Sequence, residues 1–175
     1  MLQFLLELDG KILLFIQEFL RTDWLTAFFG FITSLGNGGV IWIVLAAILL
    51  CTKKYRKTGT AMAVALLIGY LAANLILKNL VMRVRPYEAV AGLQSLIGPM
   101  WDSSFPSGHT TSSIAAGVVL LKGMPRYVGV FCFALAVLIA ISRLYLGVHY
   151  PTDVLAGAVI GGLAALAART AVKAK

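Results

Sequence analysis

The sequence predicts an all-α integral membrane protein, a bundle of five to six transmembrane helices with an amphipathic N-terminal helix at the interface. Three observations point to it. Of the 175 residues, 60% are hydrophobic and 13% charged, and the mean hydropathy is +0.91, well outside the range of soluble domains. The apolar residues come in long blocks, and the basic residues bunch behind those blocks as they do in cytoplasmic loops. A chain of this length forms one domain, residues 1–175, whose core is the interior of a helix bundle.

The elements are justified in order along the chain. Gln3, Glu7, Lys11, Glu18 and Arg21 recur at roughly helical spacing among Leu, Ile and Phe, the pattern of a helix lying in the membrane surface. Glu7 and Asp9 interrupt the first apolar run where a signal peptide would need its hydrophobic stretch. Residues 24–35 are apolar but short, and Gly36-Asn37-Gly38-Gly39 breaks them from the next apolar block; this segment is either a half-crossing or a sixth span. A transmembrane core occupies residues 38–172, with spans over 38–52, 58–81, 107–121, 127–141 and 153–168. The shorter ones approach the roughly 20 residues a spanning helix needs once their polar flanks are counted.

The net charge is +8, yet its distribution argues against a nucleic-acid partner. The cations cluster at Lys53-Lys54-Tyr55-Arg56-Lys57, at Lys122 and Arg126, and at Arg169, Lys173 and Lys175. If the five clear spans alternate, all three clusters fall on one face, which the positive-inside rule makes cytoplasmic. Cys51 and Cys132 sit within or beside apolar blocks and read as free thiols.

The same alternation carries three distant fragments to the opposite face: Lys78 with Arg85-Pro86, then Pro106-Ser107-Gly108-His109, then Ser142-Arg143 with His149 and Asp153. The chain's two histidines both lie in these fragments. Lys78 and Arg85 are seven residues apart, two helical turns, so both point one way if the helix runs to Pro86. Span-end cations also snorkel to lipid head groups. Ser107 and Gly108 open a span, where free backbone N–H groups and the helix dipole favour an anion; a turn with a helix cap has the same pattern. His109 comes directly after them. Asp153, four residues after His149, is placed to accept an imidazole N–H and leave the other nitrogen free to attack. A proton relay or a structural hydrogen bond fits that pair too. Arg143 adds a planar guanidinium able to grip two phosphate oxygens. With no third histidine and no carboxylate cluster beside these residues, a hydrolytic metal lacks ligands, and no cofactor is expected.

Lys, six residues, Arg-Pro; Pro-Ser-Gly-His; Ser-Arg, five residues, His, three residues, Asp: this pattern resembles the three-part signature of the type 2 phosphatidic acid phosphatase family, which shares its site with vanadium-dependent haloperoxidases. The resemblance covers about residues 60–170. It implies a bundle of about six helices with the site at the outer membrane surface. His149 would be the nucleophile forming a phosphohistidine, Asp153 its orienting base, and His109 the acid that protonates the leaving group. Lys78, Arg85, Ser107, Gly108 and Arg143 would hold the phosphate. The implied activity is metal-independent hydrolysis of a membrane lipid phosphate in a bacterial plasma membrane, with undecaprenyl pyrophosphate favoured over phosphatidylglycerophosphate and phosphatidic acid. The other classes are a vanadate-binding haloperoxidase, whose relatives are typically soluble, and a transporter or scaffold that has kept an inactive site.

Overall fold

The computed structural model describes residues 2–173. Helix α1 (Leu2–Phe15) ends in a π-helical turn over Ile16–Leu20. Next come α2 (Asp23–Leu35) and α3 (Val40–Cys51), joined through Gly36–Gly39, where Gly38 and Gly39 both take positive φ. Glycine reaches that region without steric cost, so the chain can break here between two otherwise continuous helices. Helix α4 (Arg56–Tyr70) continues as a π-helical stretch over Leu71–Leu77 into the short α5 (Lys78–Val81). A one-turn α6 (Pro86–Ala89) and a loop lead to α7 (Gly108–Gly123), α8 (Arg126–Tyr145) and α9 (Pro151–Lys173).

Helix α7 is central, packed on α4, α8 and α9, while α3 covers α4 and α2 leans on α8. Small residues at the contacts set this closeness. A side chain at Gly161 would meet the Thr111 carbonyl at 2.5 Å, and one at Gly117 would meet Ala136 at 2.9 Å. Without a strong hydrophobic drive between helices in lipid, such close backbone approach is what holds a bundle together. The core gathers Trp42, Met62, Ala65, Ala115, Val119 and Ile139, and the Trp42 indole N–H donates to the Ser113 hydroxyl at 2.9 Å. Leu67, Phe131, Leu155 and Leu163 face outward, as lipid-facing positions should.

Among the described residues, four helical stretches are long and apolar enough to cross a membrane: Asp23–Cys51, Lys53–Ala89, Arg126–Tyr145 and Pro151–Val172. Residues 24–35 form most of α2, which shares the first of these stretches with α3 and is parted from it at Gly38 and Gly39. Helix α7, with 16 residues, is shorter than a free-standing span but sits inside the bundle, where its ends need not reach lipid.

The two ends of the bundle differ in chemistry. At one, Thr58 donates to the Gly123 carbonyl at 3.1 Å and Arg56 to the Leu50 carbonyl at 3.1 Å, bringing the basic clusters at 53–57 and 122–126 together. All three motifs lie at the other. There α1 is strapped across the loops: Gln17 donates to the Gly92 carbonyl at 2.9 Å, Arg21 to the Gln94 carbonyl at 2.8 Å, and Asp9 binds Arg83 and Thr152.

Candidate active site

Sequence spacing places Lys78 and Arg85 on one helix face, but the helix stops earlier. Met82 takes a left-handed conformation (φ 44°) and residues 82–85 leave the helix, with Arg85 becoming the N-cap of α6 and Pro86 its first residue. Proline suits that position because its missing N–H would be unpaired there anyway. The two cations still converge, since both bind Asp102: Arg85 Nη2 lies 2.5 Å from Oδ1 and Lys78 Nζ forms an ion pair with Oδ2. The π-helical stretch before Lys78 brings Asn74 to the same place, 2.6 Å from where a Gly108 side chain would begin. A larger residue there would push the Asn74 amide aside.

Ser107 caps α7, its hydroxyl accepting from the Thr110 N–H at 3.4 Å and from the Thr110 hydroxyl at 3.0 Å. The Ser107 hydroxyl is an acceptor in both bonds and keeps its own proton to donate, while Gly108 and His109 line the cavity. The first-turn N–H groups have no carbonyl behind them within the helix, which leaves them available to an anion. His109 Nε2 lies 3.0 Å from Asn37 Oδ1, supplied by the break between α2 and α3.

Helix α8 runs on past residue 141, so Arg143 stands on its last turn, buried. Its Nη1 donates to the Thr33 hydroxyl at 2.5 Å and its Nη2 contacts Met100 Sδ at 3.5 Å. Arg143 Nε is, among the described residues, the one buried side-chain nitrogen with no hydrogen-bond partner. A buried donor left open costs stability and calls for an explanation.

His149 lies in the turn before α9. Its Nδ1 is 3.5 Å from Asp153 Oδ2 and its Nε2 is 3.0 Å from Arg85 Nη1. The tautomer that satisfies both contacts carries its proton on Nδ1 and a lone pair on Nε2. Burial, partly opposed by the Asp153 contact and reinforced by Arg85 and Arg143, pushes the imidazole down to about 4. Asp153 also accepts the Tyr150 N–H at 2.9 Å and the Ser104 hydroxyl, so its carboxylate caps the start of α9 while facing the histidine. Burial raises the Asp102 carboxyl, but Lys78 and Arg85 outweigh that and hold it below the usual range. Among the described residues no three His, Cys, Asp or Glu side chains gather into a set able to hold a metal ion.

These groups close one end of a cavity of about 620 Å³. Its polar end holds Lys78, Arg85, Asp102, His109, Arg143 and His149. Its other end runs between α3 and α4, past Ala46, Leu50, Ala63, Leu66 and Tyr70. Sequence reasoning missed Asp102, Asn37, Thr33 and Ser104. Asp102 alone carried a signal, being the one acidic residue between Glu88 and Asp153.

Residues 57–175 match the model of the PAP2 superfamily. The chain is 33% identical over 121 residues to an undecaprenyl-diphosphatase of Sulfolobus acidocaldarius, an alignment spanning 69% of this chain and 58% of that protein. It is 31% identical to a lipid A 4'-phosphatase of Bacteroides thetaiotaomicron, covering 93% of this chain and 76% of the relative. The crystal structure of a transmembrane PAP2-type phosphatidylglycerolphosphate phosphatase from Bacillus subtilis superposes with a TM-score of 0.77 at 29% identity, covering 96% of this chain and 86% of that one. With its apolar helical bundle, its converged motifs and this similarity over most of its length, the chain belongs to the PAP2 superfamily and is a multi-pass membrane phosphatase.

Proposed function

We propose that this single-domain protein removes the terminal phosphate of a membrane lipid, undecaprenyl pyrophosphate first among the candidates, without a metal ion and through a phosphohistidine at His149. The observation that carries this reading is the shape of the cavity. Three cations and two histidines stand at one end, and an apolar channel between two membrane helices leads away from them, the complement of a lipid with an anionic head.

In this mechanism His149 Nε2 attacks phosphorus while Asp153 accepts the Nδ1 proton and stabilises the imidazolium character that develops. Arg85, which touches Nε2 at 3.0 Å, turns its donors to the phosphate. Lys78, Arg143 and the N–H groups at Gly108 and His109 hold the other oxygens, and this fixed charge does the positioning and neutralisation that phosphoryl transfer requires. His109 protonates the leaving oxygen and then takes a proton from the water that releases phosphate. Ser107 contributes by fixing the helix start from which those N–H groups project.

Met100 borders the polar end, its sulfur 3.5 Å from Arg143 Nη2, and this crowding favours a lipid whose head is the phosphate group itself over one carrying a sugar. The undecaprenyl-diphosphatase among the relatives supports the choice, and the Bacillus structure keeps phosphatidylglycerophosphate as the second reading. The positive-inside rule places the site on the extracytoplasmic face; a Lys54→Cys variant shielded from an impermeant thiol reagent in intact cells supports that, and labelling there refutes it. The substrate is tested by comparing undecaprenyl pyrophosphate, phosphatidylglycerophosphate and phosphatidic acid in excess EDTA. The highest kcat/KM is expected for the first; a higher value for phosphatidylglycerophosphate selects the second reading, and a strict magnesium requirement refutes the cation-based mechanism.

A further inference from the structure

Arg83 lies between the two motif cations in sequence but turns away from the cavity they line. Its Nη1 donates to Asp153 Oδ1 at 2.6 Å and to the Thr152 hydroxyl at 2.7 Å, and its Nη2 donates to Asp9 Oδ2 at 2.9 Å. The guanidinium carbon sits 3.7 Å over the Tyr150 ring, and the Arg83 carbonyl accepts the Ser104 N–H at 2.8 Å. Asp9, from α1, is buried. Its other oxygen accepts the Thr152 N–H at 3.1 Å, and the Thr152 hydroxyl donates to Asp9 as well. A closed chain of charge results, running from His149 to Asp153, Arg83 and Asp9.

We propose that Arg83 and Asp9 are positioning residues for the His149–Asp153 pair, and that the N-terminal helix is therefore part of the active-site machinery rather than only a membrane-surface element. This extends the reading of His149 as nucleophile and rests on it. The two Asp153 oxygens have different roles. Oδ2 faces the imidazole and takes the Ser104 and Tyr150 donors, while Oδ1 is held by Arg83. A full cation on Oδ1 would weaken the pull of Asp153 on the imidazole proton. Asp9 shares that cation, leaving one net negative charge over the three groups, and both partners fix the carboxylate plane. Asp9, Arg83 and Thr152 do not line the cavity, so their influence passes through Asp153.

The other charged or titratable groups around the histidine are Arg85 from the α5–α6 segment, Arg143 from α8, His109 and Lys78 across the cavity, and Asp102 between Lys78 and Arg85. None of these contacts Arg83 or Asp9; Tyr150 does lie under Arg83, but burial pushes its hydroxyl above its usual alkaline range, so it stays neutral across the acidic limb and a test by sign is possible. The acidic limb of kcat/KM reports protonation of the free-enzyme base. Arg83→Gln removes a positive charge, stabilises the imidazolium and should move that limb to higher pH by about half a unit to one unit. Asp9→Asn removes a negative charge and should move it to lower pH. Arg83→Lys restores charge without the fork, so the limb should return towards the wild-type position while kcat stays depressed. Limbs that stay fixed, or that move in the same direction, would overturn the proposal even if both variants melt earlier. Should Arg83→Gln fail to fold, the isosteric Asp9→Asn decides alone, an unmoved limb counting against the proposal. Turnover persisting in His149→Ala would refute the nucleophile reading instead, so the two failures are distinguishable.

Discussion

Asp102 occupies the place a substrate phosphate needs, because its carboxylate bridges the two cations of the first motif. In the proposed mechanism, phosphate binding displaces it. The carboxylate is 54% exposed, whereas the side chains of Lys78 and Arg85 are 10% and 4% exposed, so each contact is screened on the aspartate side and contributes about 0.5–1 kcal/mol rather than the value of a buried pair. Releasing both costs about 1–2 kcal/mol, which corresponds to about 5–30-fold in affinity. Asp102→Asn keeps the size of the side chain and removes the charge. Competitive inhibition by vanadate, measured at fixed ionic strength because the contacts are screened by salt, should tighten by that factor. The variant should also melt at a lower temperature without an anion, since two neighbouring cations have lost their counter-charge, and vanadate should restore more stability to it than to the wild type. An unchanged or weaker vanadate inhibition constant would refute the idea that Asp102 competes for the phosphate site.

The remaining predictions concern the cations, the two histidines and pH. Arg143→Lys should lower kcat/KM by about 10²-fold or more, because a point charge cannot replace a planar guanidinium that is anchored on Thr33 and lines the polar end of the cavity; near-normal kinetics would mean that Arg143 supplies charge alone. His109→Ala should be hurt far less on p-nitrophenyl phosphate than on an alkyl phosphate lipid, the gap approaching the roughly 10²–10⁴-fold that general acid help provides, and equal losses would make His109 a phosphate ligand. With its pKa lowered from 6.5 to about 4 in the fold, His149 takes up a proton on unfolding between those values, so stability should rise with pH through that window and be lost as pH falls. Melting curves of His149→Gln should show a shallower loss between pH 6.5 and 4, and an unaltered slope would mean that His149 is charged in the native state.

The span pattern was legible because long apolar blocks and their basic ends are a strong signal, and the motif residues were legible because so few polar groups interrupt those blocks. Lys78, Arg85, His109, Arg143, His149 and Asp153 all reach one end of the bundle, although the helical spacing invoked for the first pair does not operate. The turn at Met82 is invisible to a reading that waits for Pro86 to end the helix. Ser107 illustrates a different limit, since an N-cap hydroxyl and a phosphate-binding hydroxyl look alike in sequence, and the bond to Thr110 shows the first role without bearing on the second. Asp9 was read as a residue that disrupts an apolar run, and its burial against Arg83 depends on a contact 74 positions away. Asn37, in a glycine-rich break that looked like simple punctuation, meets His109 across 72 positions. Local pattern carries no information about such pairings.

The central claim is a covalent phosphohistidine at His149, and quenching the enzyme in base during turnover of a ³²P-labelled lipid phosphate tests it most directly, because phosphohistidine survives base and is lost in acid. The label should appear on the peptide containing His149, accumulate further in His109→Ala if that residue activates the water, and be absent from His149→Ala. Label on another residue, or full turnover with no labelled protein at any time point, would contradict the account.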